Sequence, residues 1–329
     1  MLLYAITIAY SSALCNDHFM MNRTFWMERI VAAWSRRSVI WLSGVRRAGK
    51  TYLCQSLTDI EYFDCELPRV RGMLDDPEGF LRPLQGRTVA LDEIHRLRNP
   101  SEILKIAADH FPDIRIIATG SSTLGASAKF RDTLTGRRET LWLTPMVSPD
   151  LLDFGQTQLD RRFLFGGLPP FYLSNTLPER DFQDWVDSYW AKDIQECFDT
   201  GFICYYRGWH QLRSDDMGIL WEHYVLNEIQ GRLQMRDVKY WRDKRGHEID
   251  FIIARRGEAP IAIECKWSYR DFDPRNLKLF RHRYPQGDSY VVGADVDRVM
   301  DRQYEGLNVK FVGLDTLIES LKISKRPTS

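Results

Sequence analysis

The chain has 329 residues, 44% of them hydrophobic and 12% aromatic, and carries 45 basic and 45 acidic side chains, for a formal net charge of zero. That length points to two domains with packed cores, and the charge balance excludes a chain-wide polybasic footprint. Six cysteines with no Cys-x-x-Cys pair and no zinc-type spacing point to reduced thiols in the cytoplasm, and no stretch is long enough to span a bilayer.

Met1 to Cys15 is apolar like a signal sequence but lacks the positive n-region. The reading is an extended start, with the folded protein beginning near Met20 or Met21. Val39-Ile40-Trp41-Leu42 is a β-branched, apolar run that predicts a buried strand. It leads into Gly44-Val45-Arg46-Arg47-Ala48-Gly49-Lys50-Thr51, which fits G-x-x-x-x-G-K-[ST], and then into a helix through Tyr52–Leu57. Strand, glycine loop and helix start aim backbone N–H groups at an anion, here the phosphates of a nucleoside triphosphate. Gly44, Arg46, Arg47, Ala48, Gly49, Lys50, Thr51 and Tyr52 form the expected nucleotide-binding set.

A second strand is expected at Ile60–Phe63. Thr88–Leu91 predicts another, ending in Asp92-Glu93. At a strand end about forty residues after a phosphate loop, Asp92 is expected to hold Mg2+, usually through water, and Glu93 to polarise the attacking water. Ser101 to His110 reads as a helix capped by Ser101. The strand Ile114–Thr119 runs into Ser121, a candidate γ-phosphate sensor or simply part of a serine turn. Arg137 is a candidate to stabilise charge on the transferred phosphoryl group, within the chain or across a subunit boundary; the alternative is a solvated arginine.

The order of the loop, Leu91-Asp92-Glu93-Ile94-His95, Ala118-Thr119-Gly120-Ser121-Ser122, Thr135-Gly136-Arg137, Leu143-Thr144-Pro145-Met146 and Gly166-Gly167-Leu168-Pro169 resembles the prokaryotic AAA-like P-loop ATPases that carry a C-terminal domain of unknown function. The likeness runs over roughly residues 25–200. It implies ATP as ligand, Mg2+ as cofactor, and the roles given above for Lys50, Thr51, Asp92 and Glu93. That family commonly inserts a winged helix before its last domain. Here only Glu196 to Gly218 fills the gap, so a duplex-reading wing is not expected.

Farther on, a helix at Ile219–Ile229, strands at Val238–Trp241, Glu248–Ile253 and Ala262–Trp267, a helix at Pro274–Tyr284 and a strand at Ser289–Val292 are expected. With Asp250 in one strand and Glu264-x-Lys266 in the next, this order resembles the PD-(D/E)-x-K nuclease-like domain. Period-2 geometry puts Glu264 and Lys266 on one strand face and Cys265 on the other. Asp250, Glu264 and the helix-borne Glu222 would hold one or two Mg2+ ions, or Mn2+, and Lys266 would stabilise charge at the scissile phosphate. A salt-bridged pair at a strand edge, or a scaffold that has lost its activity, is the other possibility.

The expected organisation is therefore a leader at 1–20, an α/β AAA-like P-loop ATPase core at 21–150, a helical extension and connector at 151–217, a smaller restriction-endonuclease-like α/β domain at 218–315, and a tail at 316–329. The expected function is an ATP-hydrolysing protein with a metal-dependent nuclease-like domain acting on DNA or RNA, with no membrane partner and a homo-oligomer as one option. The alternative is an ATP-dependent switch whose last domain is an inactive binding module for protein or nucleic acid.

Overall fold

The computed structural model describes residues 22–120, 128–193 and 199–323. α1 (Thr24–Trp34) leads into a five-stranded parallel sheet of β1 (Val39–Gly44), β2 (Ile60–Asp64), β3 (Thr88–Asp92), β4 (Arg115–Thr119) and β5 (Arg138–Leu143), in the order β2-β3-β4-β1-β5. α2 (Lys50–Gln55), α3 (Pro68–Met73), α4 (Pro77–Leu81), α5 (Pro100–His110) and α6 (Ala128–Leu134) lie in the connections. A parallel sheet covered on both faces needs strands that are apolar on both sides. Alternation sorts them: Ile40, Leu42, Ala90 and Ile117 pack on one face, and Val39, Trp41, Val89, Leu91, Ile116 and Ala118 on the other. α5 starts one residue earlier than expected: Pro100 opens it, Asn99 is the cap residue, and Ser101 is buried within the first turn. Proline suits that opening position because its missing N–H would have no helical partner.

The connector is helical: α7 (Ser148–Asp153), α8 (Leu159–Phe165), α9 (Pro169–Tyr172), α10 (Glu179–Asp193) and α11 (Thr200–Arg207). Its anchor is a fully buried ion pair, Arg162 to Asp199 at 3.2 Å. Asp199 also accepts the N–H groups of Gly167 and Leu168. A side chain at Gly167 would meet the Arg162 guanidinium at 2.3 Å, which accounts for the Gly-Gly-Leu-Pro segment.

α12 (Met217–Leu233) then opens a six-stranded mixed sheet of β6 (Lys239–Arg242), β7 (Glu248–Ile253), β8 (Ile261–Lys266), β9 (Ser289–Gly293), β10 (Met300–Tyr304) and β11 (Leu307–Val312). The strand order is β10-β11-β9-β8-β7-β6, parallel across β8-β9-β11 and antiparallel elsewhere. α13 (Arg275–Arg283) covers one face, over Ala262, Val291, Val309 and Phe311. α12 and α14 (Leu314–Ile323) cover the other, over Ile263, Cys265, Val292 and Val312.

The sequence reading of residues 316–329 as a tail is corrected here: Leu317, Ile318 and Leu321 of α14 are buried in the domain core. The β10–β11 hairpin was likewise not anticipated. The expected leader, 1–20, and residues 324–329 lie outside the described residues.

Candidate functional site

In a parallel sheet all strands end at the same edge. β1 delivers Gly44, β3 delivers Asp92 and β4 delivers Thr119 to that edge. With β4 between them, β1 and β3 stand two strand spacings apart, about 10 Å. Gly44 has φ +149° and a side chain there would meet the Leu143 carbonyl oxygen at 2.3 Å, so the loop leaves the strand where only glycine fits. Gly49, with φ +93°, turns the chain into α2. Lys50 is nearly buried and its Nζ donates to the carbonyls of Gly44 (2.8 Å) and Val45 (3.0 Å), folding the loop around its own lysine. Arg46, Arg47, Thr51 and Tyr52 are exposed on the loop and the first turn of α2.

Two residues that the sequence reading missed brace this loop. Arg23 donates to both oxygens of Asp150 (2.9 and 2.7 Å) and, through Nη1, to the carbonyl of Ala48 at 2.8 Å. Both side chains are buried, at 2% and 0% exposure. The indole of Trp26 and the N–H of Val147 complete the Asp150 shell. The connector closes over the loop from the other side, where Trp185 Nε1 donates to the Arg46 carbonyl and the Arg47 guanidinium lies over the Phe171 ring. A separation of 127 residues between Arg23 and Asp150 leaves no local signal for this brace.

Asp92 is 3% exposed. Its Oδ2 accepts the Tyr62 hydroxyl at 2.7 Å, and its Oδ1 accepts the Thr119 hydroxyl. Glu93 follows in the left-handed region (φ +52°), its N–H donating to Thr119 Oγ1 at 3.0 Å and its carboxylate 2.9 Å from His95 Nδ1. Burial and the Asp92 charge push the thiol of Cys54, on α2, well up. Ser121 lies outside the described residues.

Arg137 does not join this edge. It immediately precedes β5, whose first residue Arg138 pairs with Val39, the first residue of β1. It therefore sits at the opposite end of the sheet, a strand length of roughly 17 Å from Gly44. There it donates to Asp109 at 2.7 Å. A within-chain role for Arg137 at the phosphates is thereby corrected.

In the second sheet, the antiparallel register that pairs Phe251 with Ile263 and Ile252 with Ala262 carries Asp250 beside Glu264. Lys266 Nζ lies 3.0 Å from Glu264 Oε2 and 3.9 Å from Asp250 Oδ2, which also accepts the Cys265 N–H at 2.7 Å. Glu264 Oε1 is buried without a hydrogen-bond donor. Burial, with the Asp250 charge added, pushes the Glu264 carboxyl up to about 7. Burial also raises Asp250. Glu222, on α12, is pushed up to about 7 by burial and then by Asp250. Burial by itself would lower Lys266, but the Glu264 and Asp250 charges outweigh it and hold its ammonium. Among the described residues no three His, Cys, Asp or Glu side chains stand close enough to hold a metal ion. Glu222 is therefore near the acid pair without completing a three-ligand set. The donor set fits a hard divalent cation in part: two carboxylates, one of which, Glu264, has an oxygen without a hydrogen-bond donor.

The strand order, the glycine loop and the acidic strand end define the class: a P-loop ATPase-type α/β domain followed by a second, mixed-sheet domain. Residues 36–152 match the family model described as an AAA domain, and residues 217–312 match a domain of unknown function, DUF4143. The chain is 30% identical over 165 residues to two uncharacterised mycobacterial proteins, Mb2031c of Mycobacterium bovis and Rv2008c of Mycobacterium tuberculosis; the match covers 49% of this chain and 36% of each relative, about a third of their length. Among solved structures, a Walker-type ATPase of Pyrococcus abyssi is 18% identical, with 65% of this chain and 75% of that one covered and a TM-score of 0.31. A DNA replication initiation factor is 13% identical, with 60% and 66% covered and a TM-score of 0.30. Strand order and direction, rather than these distant likenesses, define the class. Among the described residues no helix is long and apolar enough to cross a membrane.

Proposed function

We propose that this chain binds ATP on the Gly44–Thr51 loop and hydrolyses it with Mg2+. The observation that carries the reading is the shared strand edge, with the lysine-bearing loop after β1 and the Asp92-Glu93 pair closing β3. Lys50 and the loop amides take the phosphates, Thr51 and Asp92 hold the metal, and Glu93 aligns the attacking water. Mg2+ supplies charge neutralisation between the phosphates when bound. Replacing Glu93 by Gln is expected to leave ATP binding within about twofold and to lower kcat by about a hundredfold or more, as for loss of a general base. Unchanged turnover would remove Glu93 from this role. Arg137, placed at the far end of the sheet, belongs to this chemistry only across a subunit boundary in a homo-oligomer.

For the second domain the reading is a nuclease-like site that cuts DNA or RNA with Mg2+ or Mn2+, favoured by the half-buried Asp250 beside the buried Glu264 and by the Glu264 oxygen that has no hydrogen-bond donor. Asp250 and Glu264 would hold the metal, which would polarise the scissile phosphate, with Lys266 beside it for developing charge. The rival is an ATP-dependent switch whose last domain only binds a protein or nucleic-acid partner; the contact of Lys266 with both carboxylates favours it. Mn2+ titration of the parent and of Asp250→Ala separates the two. Binding lost in the variant, together with metal-dependent cleavage by the parent, supports the nuclease. No binding by either supports the module.

A further inference from the structure

Asp92 is flanked in the sheet by β2 on one side and β4 on the other. Each neighbour sends it one hydroxyl: Tyr62 from β2 to Oδ2 at 2.7 Å, and Thr119 from β4 to Oδ1. An aspartate carboxylate otherwise turns broadly about its last torsion. Two O–H donors from opposite sides remove that freedom. Each oxygen keeps further acceptor capacity, so the clamp leaves room for a metal-bound water. The Thr119 oxygen also accepts the Glu93 N–H at 3.0 Å, so one hydroxyl aligns both acids of the pair.

We propose that Tyr62 is a positioning residue for the ATPase reaction: together with Thr119 it fixes the Asp92 carboxylate in the orientation that holds the nucleotide's Mg2+. The proposal rests on the ATPase reading above. Tyr62 is half-buried and packs against the core cluster that includes Ala90 of the neighbouring β3, so Tyr62→Phe keeps the packing and removes only the donor. Thr119 is fully buried, and Thr119→Val removes the second donor at nearly constant shape.

The test is binding of a fluorescent ATP analogue to the full chain, first in EDTA and then across a Mg2+ titration. For Tyr62→Phe the affinity in EDTA is expected to equal the parent's. The Mg2+ concentration giving half the metal-dependent gain is expected to rise about three- to tenfold, the scale of one ordinary intramolecular hydrogen bond. Thr119→Val should show the same shift, and Thr119→Ser, which keeps the hydroxyl, should return to the parent value. A Mg2+ midpoint in both Tyr62→Phe and Thr119→Val indistinguishable from the parent's overturns the clamp while the ATPase reading stands. A parent chain whose nucleotide affinity does not respond to Mg2+ overturns both.

Discussion

Glu264 has one carboxylate oxygen on the Lys266 ammonium and the other buried without a donor. A proton or a cation is what relieves such an oxygen, and burial, with the neighbouring Asp250 charge, pushes its carboxyl up to about 7. The sign follows from linkage. The folded state keeps this proton to a higher pH than the unfolded chain, whose glutamates titrate at about 4.3. Its stabilising effect is complete below that value and is lost as pH rises through about 7. Glu264→Gln fixes the neutral form, so the parent is expected to lose stability relative to the variant between pH 5 and pH 8. Thermal melts of the two proteins at those pH values measure this directly, and parallel melting temperatures would contradict it. In the Gly44–Thr51 loop, Gly44 and Gly49 were legible because each meets a backbone conformation that disfavours other residues, and Lys50 because its motif is local. Arg23 and Tyr62 act across strands and helices, and nothing in their immediate sequence marks them; Thr119 stands in the strand-end motif from which the sequence pointed to Ser121 instead.

α12 joins the two sheets. Near its end, Asn227 donates to the carbonyls of Pro145 and Met146, Glu228 accepts from the N–H and hydroxyl of Ser148, and the Gln234 amide pairs with both the N–H and the carbonyl of Trp142 on β5. Glu228 is fully buried, and burial raises its carboxyl despite these partners and Arg232. The helix can come this close because position 231 is glycine: a side chain there would meet Thr144 Oγ1 at 2.5 Å and Val147 at 2.7 Å. Gly218, in the same helix, has open space around its Cα. Gly231→Val is therefore expected to lower stability by about 1–3 kcal/mol through overpacking, and Gly218→Ala to raise it by about 0.5–1 kcal/mol through helix propensity. Urea unfolding of both variants is the check; equal effects would mean that the interface yields freely. The apolar periodicity of this helix was visible in the sequence, since Trp221, Val225 and Ile229 are spaced to face a core. Its polar contacts were not, because a buried Asn, Glu or Gln looks like a solvated one until its partners are in place. The same limit hid β10, whose residues Asp301, Arg302 and Gln303 are exposed, and α14, whose apolar residues stand among polar ones near the chain end.

Across the whole molecule, two acidic centres lie in separate sheets. Lys50, Asp92 and Glu93 stand at the carboxyl edge of the first sheet, and Asp250, Glu264 and Lys266 across the β7–β8 pair of the second. The first was readable as a unit because the loop, the strands and Asp92-Glu93 follow one another in the sequence in the order that a parallel sheet needs. The second was readable as a pattern of strands with Glu264 and Lys266 on one face and Asp250 across the hairpin; the register of β7 and β8 adds the distances, with Lys266 within reach of both carboxylates. The Arg137 position shows the converse case: a plausible charge in the right stretch of sequence, carried by the direction of β5 to the wrong end of the sheet. The central claim is that the loop at 44–51 grips a triphosphate through Lys50. Equilibrium binding of a fluorescent ATP analogue with Mg2+, to the parent and to Lys50→Ala, tests it most directly. The account predicts saturable binding to the parent and an affinity at least about a hundredfold weaker in the variant, as for loss of a charge-assisted phosphate contact. Equal binding by the two proteins, or none by the parent, would contradict it.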